Sequence, residues 1–436
     1  MQQAGSTGGR GGGSRRARMV TIVASLAALM ALAACTSGGT VPAAGTVTVT
    51  GTGPDGSVTT TTATASPGVD PAVITTLPAA GTKNFSPADR VKVNIDNGKL
   101  TDVKMVNAVG KVVAGALASD GSTWQSTEDL GYSKTYKITA TGVDSVGHPI
   151  TKREHITTVT PGNMTMPYLE DIYGHTLENG GTYGVGMVVR VHFDESVNRA
   201  KAEKTLQVTT TPNLSGGWYW SDDQNVYWRP QHYYPAGTKV TLSAKVYGTQ
   251  VGLGLYGQAD QSVSFKIGAK HYSVANAKTH QVKVYVNNKL VRTMPTSMGQ
   301  GGVTQGDNGP IYLWTMPGIY TVINHENPAI MSSDSYGLPA NSPLGYAPEK
   351  VYWSTKISVD GIYLHELDAT VWAQGHQNVS HGCLNLNYTN AKWFYNLSRV
   401  GDVVQVVHSG GPKITFDQGG EWSVPWSTWL KGSALS

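Results

Sequence analysis

Two stretches of the chain repeat one pattern at an offset of 104 positions: WQSTEDLGYSKTYKITA at 124–140 and WRPQHYYPAGTKVTLSA at 228–244. Each stretch begins with a Trp, passes through a turn and ends with apolar residues at every second position. That alternation is typical of a β-strand with one buried face. The two copies therefore predict a duplicated β module.

The composition agrees with a mainly β chain. Of 436 residues only 14% are charged and 52 are Gly, which favours short strands and turns over long helices. A repeat of roughly 100 residues with short strands predicts two immunoglobulin-like β-sandwiches. We place domain A at 71–160 and domain B at 161–269. The aromatic residues of domain B could form a sugar-binding platform or pack between domains: Trp218, Tyr219, Trp220, Tyr227, Trp228, Tyr233 and Tyr234.

The N-terminal segment is typical of an export signal. Arg15–Arg18 are followed by an apolar run at 19–33, which is too short to span a bilayer comfortably. Leu32-Ala33-Ala34-Cys35 resembles a bacterial lipobox, so we expect a signal peptide at 1–34 and a lipidated Cys35, with ordinary cleavage as the alternative. Both the general and the twin-arginine export routes stay open. Residues 35–70 offer little apolar side-chain surface to bury, so we predict that this segment is a flexible tether. The protein is then expected on the outer face of the cytoplasmic membrane, facing the cell wall.

The net charge argues against a nucleic-acid partner. The chain has 33 basic and 29 acidic residues. Residues 1–34 contain four Arg and no acidic residue, so 33 − 4 = 29 basic residues remain against 29 acidic ones. A neutral mature chain offers no net positive field to attract phosphates.

Cys383 is the candidate reactive group. It is an unpaired thiol in a chain with an export signal, and it follows Ser380-His381-Gly382. A thiol needs a base or a positive neighbour to react at neutral pH, and His365 and His381 are available. The alternatives are an inert buried cysteine and a zinc site that adds His376. The spacing of these histidines and the nearby glycines disfavour zinc, and no cofactor is implied.

These residues resemble those of a known family. His365, the step of 18 residues to Cys383, and Ser-His-Gly-Cys-Leu-Asn at 380–385 are similar to the YkuD-type L,D-transpeptidase catalytic domain over 270–408. The lipobox, the tandem Ig-like modules and the Trp-rich tail at 409–436 resemble mycobacterial-type members. The resemblance implies a mixed-β catalytic domain with a few short helices. We expect the tail to pack on this domain through Trp422, Trp426 and Trp429.

The resemblance implies an enzyme that forms 3→3 cross-links in peptidoglycan. Cys383 would attack the donor tetrapeptide, release D-Ala and form a thioester, and the diaminopimelate amine of an acceptor stem would resolve it. His365 would act as the base. β-Lactams of the carbapenem class are implied as inactivators. An L,D-carboxypeptidase that passes the same acyl group to water, and a wall-binding structural lipoprotein, remain alternatives.

The resemblance also assigns roles to further residues. The N–H groups of Gly382 and Cys383, with His381, would form an oxyanion hole. Tyr346, Met331, Ser380 and Asn385 match substrate-binding positions, although Ser380 could mainly shape the turn. Glu366 stands where relatives carry Ser. Its backbone carbonyl would orient His365, or its carboxylate would contact His365 and raise the pKa of the imidazole.

Overall fold

The computed structural model describes residues 45–52, 58–65 and 70–436, with side chains described for 70–436. The predicted signal peptide and Cys35 lie outside the described residues. Within the described residues, no helix has the length and apolar character needed to cross a membrane. The fold is mainly β, as the sequence predicts, and its strands form two sandwiches and a third, mixed-β unit.

The first sandwich packs a five-stranded sheet against a four-stranded one. Its strands are β1 Gly45–Thr52, β2 Val58–Ala65, β3 Val73–Leu77, β4 Lys92–Asp96, β5 Gly98–Asn107, β6 Gly115–Leu117, β7 Thr123–Ser126, β8 Thr135–Asp144 and β9 Pro149–Thr157. The sheet orders are β1-β2-β9-β8-β5 and β3-β4-β7-β6. Trp124, Tyr136, Ile138 and Ala140 are buried in the core between the sheets, which confirms the inward face predicted from their alternation.

Strands β1 and β2 correct the prediction of a tether at 35–70. Both lie inside that range, and β2 pairs antiparallel with β9, with Thr62 opposite Thr151. The segments GTVTVTGT and VTTTTATA consist largely of β-branched residues, which favour extended backbone. A sheet edge supplies backbone hydrogen-bond partners without needing a large apolar side-chain surface. The composition argument considered only side-chain burial and so missed this pairing.

The second sandwich has two four-stranded sheets and a small parallel pair. Its strands are β10 Asn163–Thr165, β11 Pro167–Asp171, β12 Thr182–Tyr183, β13 Val189–Phe193, β14 Leu206–Thr211, β15 Gly216–Trp220, β16 Asn225–Pro230, β17 Lys239–Ala244, β18 Leu255–Gly257 and β19 Gln261–Ile267, with one short helix, α1 Arg199–Glu203. The sheet orders are β11-β13-β16-β15, β12-β19-β17-β14 and β10-β18. Trp228, Val240 and Leu242 are buried in its core.

The duplicated Trp of the repeat has the same packing in both sandwiches. A Cβ on Gly115 of β6 would lie 2.0 Å from the Trp124 ring, and one on Gly216 of β15 would lie 2.1 Å from the Trp228 ring. In each sandwich a neighbouring strand passes directly beneath the indole. Only glycine leaves space there, so each Trp requires a glycine on the adjacent strand.

The third unit holds the remaining strands. They are β20 His271–Asn276, β21 Gln281–Val286, β22 Lys289–Pro295, β23 Val303–Gly306, β24 Gly309–Tyr312, β25 Gly318–Thr321, β26 Asn324–Glu326, β27 Ala329–Met331, β28 Glu349–Val351, β29 Ser354–Lys356, β30 Tyr363–Glu366, β31 Leu384–Leu386 and β32 Val403–Val407. The two main sheets run β22-β21-β20-β32-β25 and β26-β29-β30-β31. Helix α2 Tyr388–Leu397 begins at its N-cap Asn387, whose side chain accepts the Asn390 N–H, and buries Phe394 in the core between the sheets.

The tail contacts more than the predicted catalytic domain. It contains 3₁₀ turns at Phe416–Gln418 and Glu421–Ser423 and the helix α3 Trp426–Leu430. The indole N–H groups of Trp422 and Trp429 donate to the carbonyls of Gly186 and Gly217 in the second sandwich, at 2.7 and 2.9 Å. The Ser423 hydroxyl accepts the Ile319 N–H at the edge of the third unit. The prediction that the tail packs on the catalytic domain is therefore incomplete, because the tail bridges the two units. The exact domain boundaries stay predictions.

Candidate active site

Cys383 and His365 are positioned by two neighbouring parallel strands. In the pairing of β30 with β31, His365 lies opposite Asn385, and Cys383 immediately precedes β31. Leu364, Leu384 and Leu386 point into the core. Because side chains alternate along a strand, His365 and Cys383 lie on the other face of the same sheet. The alternation of side chains along the two strands therefore places the thiol and the imidazole on the same face of the sheet.

His365 is buried and is held by a main-chain hydrogen bond. Its Nδ1 lies 2.8 Å from the backbone carbonyl oxygen of Glu366, so Nδ1 carries the proton and Nε2 is left as an acceptor. Burial lowers the pKa of His365 to about 4. The imidazole is therefore neutral at pH 7 and able to accept a proton.

Glu366 acts through its backbone. The carbonyl contact expected of it is present. Burial lowers the pKa of His365, and this main-chain contact offsets part of that shift. The alternative in which the Glu366 carboxylate contacts His365 stays a prediction. The Glu366 carboxyl has a raised pKa of its own, first through burial and then through the nearby charge of Asp368. A main-chain acceptor explains why the side chain at this position is free to differ from Ser.

The Cys383 thiol is half-buried and lies 3.6 Å from the backbone carbonyl oxygen of Gly361, to which it donates. Burial raises its pKa to about 11, and the Tyr363 N–H offsets only part of that shift. The thiol is therefore protonated at pH 7 in this state. Desolvation disfavours both charged forms, so the pair rests as a neutral thiol and a neutral imidazole.

The loop before Cys383 is closed by the Ser380 hydroxyl. This group donates to the Cys383 carbonyl at 2.6 Å and accepts the Gly382 N–H at 3.1 Å. Gly382 has φ +147, a backbone conformation that favours glycine. Its carbonyl accepts a hydrogen bond from the buried Thr315 hydroxyl at 2.7 Å. Ser380 thus shapes the turn, the alternative considered for it from the sequence.

This loop changes the predicted oxyanion hole. The Gly382 N–H is already bonded to Ser380, so it is not a free donor here. Among residues 70–436 the Cys383 N–H has no protein acceptor. The Cys383 N–H is therefore the main-chain group left to bind a developing negative charge.

A cavity of about 930 Å³ opens above Cys383. Tyr346, Met331, His381 and Gly382 line it together with the thiol, and their predicted roles stay predictions. The Tyr346 ring lies 5.5 Å from the His381 ring, and burial lowers the pKa of His381. The remaining predicted residues are not among those lining the cavity: His365, Glu366, Ser380 and Asn385.

Asn385, a predicted substrate-binding residue, lies in a buried strand. The Asn385 side chain is buried in β31, and its backbone pairs with Ser297 in both directions. Within residues 70–436, no group of three or more His, Cys, Asp or Glu side chains is arranged to hold a metal ion.

Comparisons with known proteins agree with this site. The family model of the L,D-transpeptidase catalytic domain matches residues 270–406, and that of a bacterial Ig domain matches residues 82–250. L,D-transpeptidase 2 of Mycobacterium tuberculosis is 39% identical over 346 residues, which cover 79% of this chain and 80% of that one. The chain belongs to the L,D-transpeptidase family.

A second relative matches most of the chain, and a solved structure matches about half of it. L,D-transpeptidase 5 of Mycobacterium tuberculosis is 32% identical over 369 residues, which cover 83% of this chain and 77% of that one. Among solved structures, that of LD transpeptidase LdtMt1 in complex with imipenem is 29% identical, covers 55% of this chain and 99% of that one, and has a TM-score of 0.45. The resemblance stated from the sequence is confirmed for the family and for the fold class.

Several cavity residues of this L,D-transpeptidase were missed from the sequence. Lys356 of β29 and Tyr363 of β30 both line the cavity, and they lie opposite each other across the two strands. Thr315 supports the loop from below. One signal was present: a charged Lys356 follows Ser354 and Thr355 in a strand whose three residues are all buried.

Proposed function

We propose that this L,D-transpeptidase cross-links peptidoglycan stem peptides through a thioester on Cys383, forming 3→3 bonds. One observation carries the proposal: a half-buried thiol faces a cavity of about 930 Å³, and a neutral imidazole lies on the same face of the next strand. Such a pair is the arrangement that nucleophilic catalysis by cysteine needs.

In the first half-reaction the neutral pair acts in one proton transfer. Cys383 Sγ attacks the carbonyl carbon of the third stem residue while its proton moves to Nε2 of His365. The carbonyl oxygen becomes negative and is stabilised by the Cys383 N–H. The bond to the D-Ala nitrogen then breaks, this nitrogen takes the proton from Nε2, and D-Ala leaves. A thioester on Sγ and a neutral His365 remain.

The second half-reaction regenerates the enzyme. The side-chain amine of a second diaminopimelate attacks the thioester carbon and passes a proton to Nε2 of His365. The carbon–sulfur bond breaks, and Sγ recovers the proton from Nε2. A neutral base suits both halves, because an imidazole that is uncharged at pH 7 can accept each proton and then return it.

The cavity walls support a peptide substrate and a carbapenem inactivator. Tyr346, Met331 and Tyr336 give broad apolar surface, and His381 adds a polar edge beside the thiol. The relative LdtMt1 was solved with imipenem. We expect a carbapenem to acylate Cys383, which intact-mass measurement would detect as one added mass in the wild type and none in Cys383→Ala.

Anchoring is a separate part of the proposal. Cys35 would carry the lipid, and the protein would act on the outer face of the cytoplasmic membrane. The support is the sequence Leu32-Ala33-Ala34-Cys35 after a short apolar run. Mass spectrometry of the N-terminal peptide tests it: a diacylglyceryl mass on Cys35 supports the anchor, and an unmodified Cys35 or cleavage elsewhere refutes it.

The function is tested by incubating the full chain in detergent with a disaccharide-tetrapeptide. A dimer formed with loss of D-Ala, measured by mass spectrometry, supports the proposal. A tripeptide alone indicates an L,D-carboxypeptidase, and no product indicates a structural lipoprotein. Cys383→Ala is the inactive control, and Lys283→Gln, an exposed change on β21, should retain turnover.

A further inference from the structure

Lys356 is a buried cation in the wall of the candidate cavity. The residue is 8% exposed and lines the same cavity as Cys383. Its Nζ donates to the hydroxyl of Tyr173 at 2.7 Å and lies 4.4 Å from the centre of the Tyr173 ring and 5.5 Å from that of Tyr363. Tyr173 belongs to the second sandwich, two residues after β11, so a residue of that sandwich holds the Lys356 ammonium in place.

The charge of Lys356 has no anionic partner among residues 70–436. The nearby acids already have partners. Asp360 accepts from Ser358 and Gln418 at 2.5 and 2.8 Å, and Glu326 accepts from the Tyr363 hydroxyl at 3.2 Å. Lysine is rarely buried without a paired charge. An ammonium has three donors, and only one is used here.

The strand register places Lys356 on the same face of the sheet as Cys383. Lys356 lies opposite Tyr363 across β29 and β30, and the β30–β31 register continues that row to Cys383. Residues opposite each other share a face of the sheet. Two strand spacings separate the backbones of Lys356 and Cys383 by about 10 Å. A carboxylate within a few bonds of the reacting carbonyl is in range of the long lysine side chain.

We propose that Lys356 binds a carboxylate of the donor stem, so that the buried ammonium, held by the Tyr173 hydroxyl, forms an anion subsite in the cavity of Cys383. This inference rests on the proposed function and names the substrate group that the site selects. The carboxylate has two sources in a tetrapeptide stem: the C-terminal D-Ala, and the far end of the diaminopimelate side chain. Both present the same chemistry to Lys356.

The test measures binding without chemistry. In the full-length Cys383→Ala protein, calorimetry with the tetrapeptide stem gives the reference Kd. Adding Lys356→Met keeps an apolar side chain of similar length but removes the charge. This change should raise the Kd about 10-fold to 100-fold, the range of one charge-assisted hydrogen bond. Lys356→Arg should restore most of the affinity, and Lys283→Gln should leave it unchanged. Circular dichroism checks that each variant is folded.

Two modified stems distinguish the sources. One carries a C-terminal D-alaninamide and the other an amidated diaminopimelate side-chain carboxylate. The stem that lacks the bound carboxylate should bind weakly to the reference protein and lose nothing further with Lys356→Met. If that variant binds all stems as the reference does, or if Lys413→Gln at the exposed rim of the cavity causes the whole loss instead, the subsite is refuted.

Failure of the subsite is separable from failure of the proposed function. Turnover of the tetrapeptide by the wild type, with affinity independent of Lys356, refutes the subsite alone. Charge-dependent binding without any turnover refutes the cross-linking activity and keeps the subsite. No measurable binding of the tetrapeptide to Cys383→Ala refutes both.

Discussion

At the scale of single residues, burial decides the charge state of the reacting pair. Cys383 and His365 have pKa values moved in opposite directions, to about 11 and about 4. Both shifts favour the neutral form, because removing water penalises the thiolate and the imidazolium alike. In the proposed mechanism the proton therefore moves during the reaction rather than before it.

The lowered pKa of His365 predicts an unusual pH profile. Above its folded pKa of about 4 the imidazole is neutral and can accept a proton, so activity should persist as pH falls from 7 to 5. Activity should be lost as pH falls through about 4. The pH dependence of kcat/KM for the tetrapeptide measures this, and an acid limb near the ordinary histidine value of about 6.5 would contradict it.

Ser380→Ala tests whether this hydroxyl shapes the turn or binds substrate. The change removes both hydrogen bonds that close the loop. We expect the free energy of unfolding to fall by about 1–3 kcal/mol and kcat to fall with little change in KM. Steady-state kinetics and denaturant unfolding measure both. Ser262→Ala, an exposed change on β19, is the control, and a raised KM with unchanged kcat would indicate substrate binding instead.

The reactive residues were predictable from the sequence, but their protonation was not. Cys383, His365 and Gly382 stand in a local motif, and the motif alone suggested their roles. Desolvation depends on how the folded chain packs around the two groups, so no local pattern reports it. The use of the Gly382 N–H by Ser380 is likewise a property of the folded loop.

At the scale of elements, the alternation of apolar residues predicted the sandwich strands well. Tyr136 and Ile138 in β8, and Val240 and Leu242 in β17, all face the cores. Strands β1 and β2 were missed because their Thr-rich segments offer little large apolar side-chain surface. Pairing across a sheet edge is long-range and leaves little trace in the composition of one segment.

The glycine beneath each repeated Trp carries a prediction of its own. Gly216→Ala would place a Cβ 2.1 Å from the Trp228 ring, so the indole or β15 must shift. Overpacking of this kind costs about 1–3 kcal/mol, which denaturant unfolding would detect. Gly162→Ala is the control, because its Cβ would meet only the Gly254 carbonyl, at 3.4 Å. Equal stability of the Gly216→Ala and wild-type proteins would show that the sheet adjusts freely.

At the scale of the whole molecule, the tail joins the second sandwich to the third unit. The buried Arg229 of β16 lies 4.5, 5.1 and 4.4 Å from the ring centres of Trp422, Trp426 and Trp429. Its guanidinium donates to the Val424 carbonyl at 2.9 Å. Sequence patterns identified the three Trp residues but not their partner, which lies about 200 positions earlier in the chain.

Trp429→Ala should loosen this junction. Trp429 is fully buried among Ile172, Val188 and Ile323, so truncation leaves a large cavity and costs about 3–5 kcal/mol. Differential scanning calorimetry should show a lower Tm, with the second sandwich and third unit melting separately. Trp372→Ala, at a side chain 67% exposed, is the matched control. An unchanged melting curve for Trp429→Ala would contradict a joining role of the tail.

The hydrogen bond that Lys356 donates to the Tyr173 hydroxyl has a consequence for how the second sandwich and the third unit evolve. A recombination point between the second sandwich and the third unit would separate Lys356 from the hydroxyl that accepts its hydrogen bond. A chimaeric protein would carry Lys356 without Tyr173, the residue that accepts its hydrogen bond. The two pieces are therefore expected to pass from parent to descendant together.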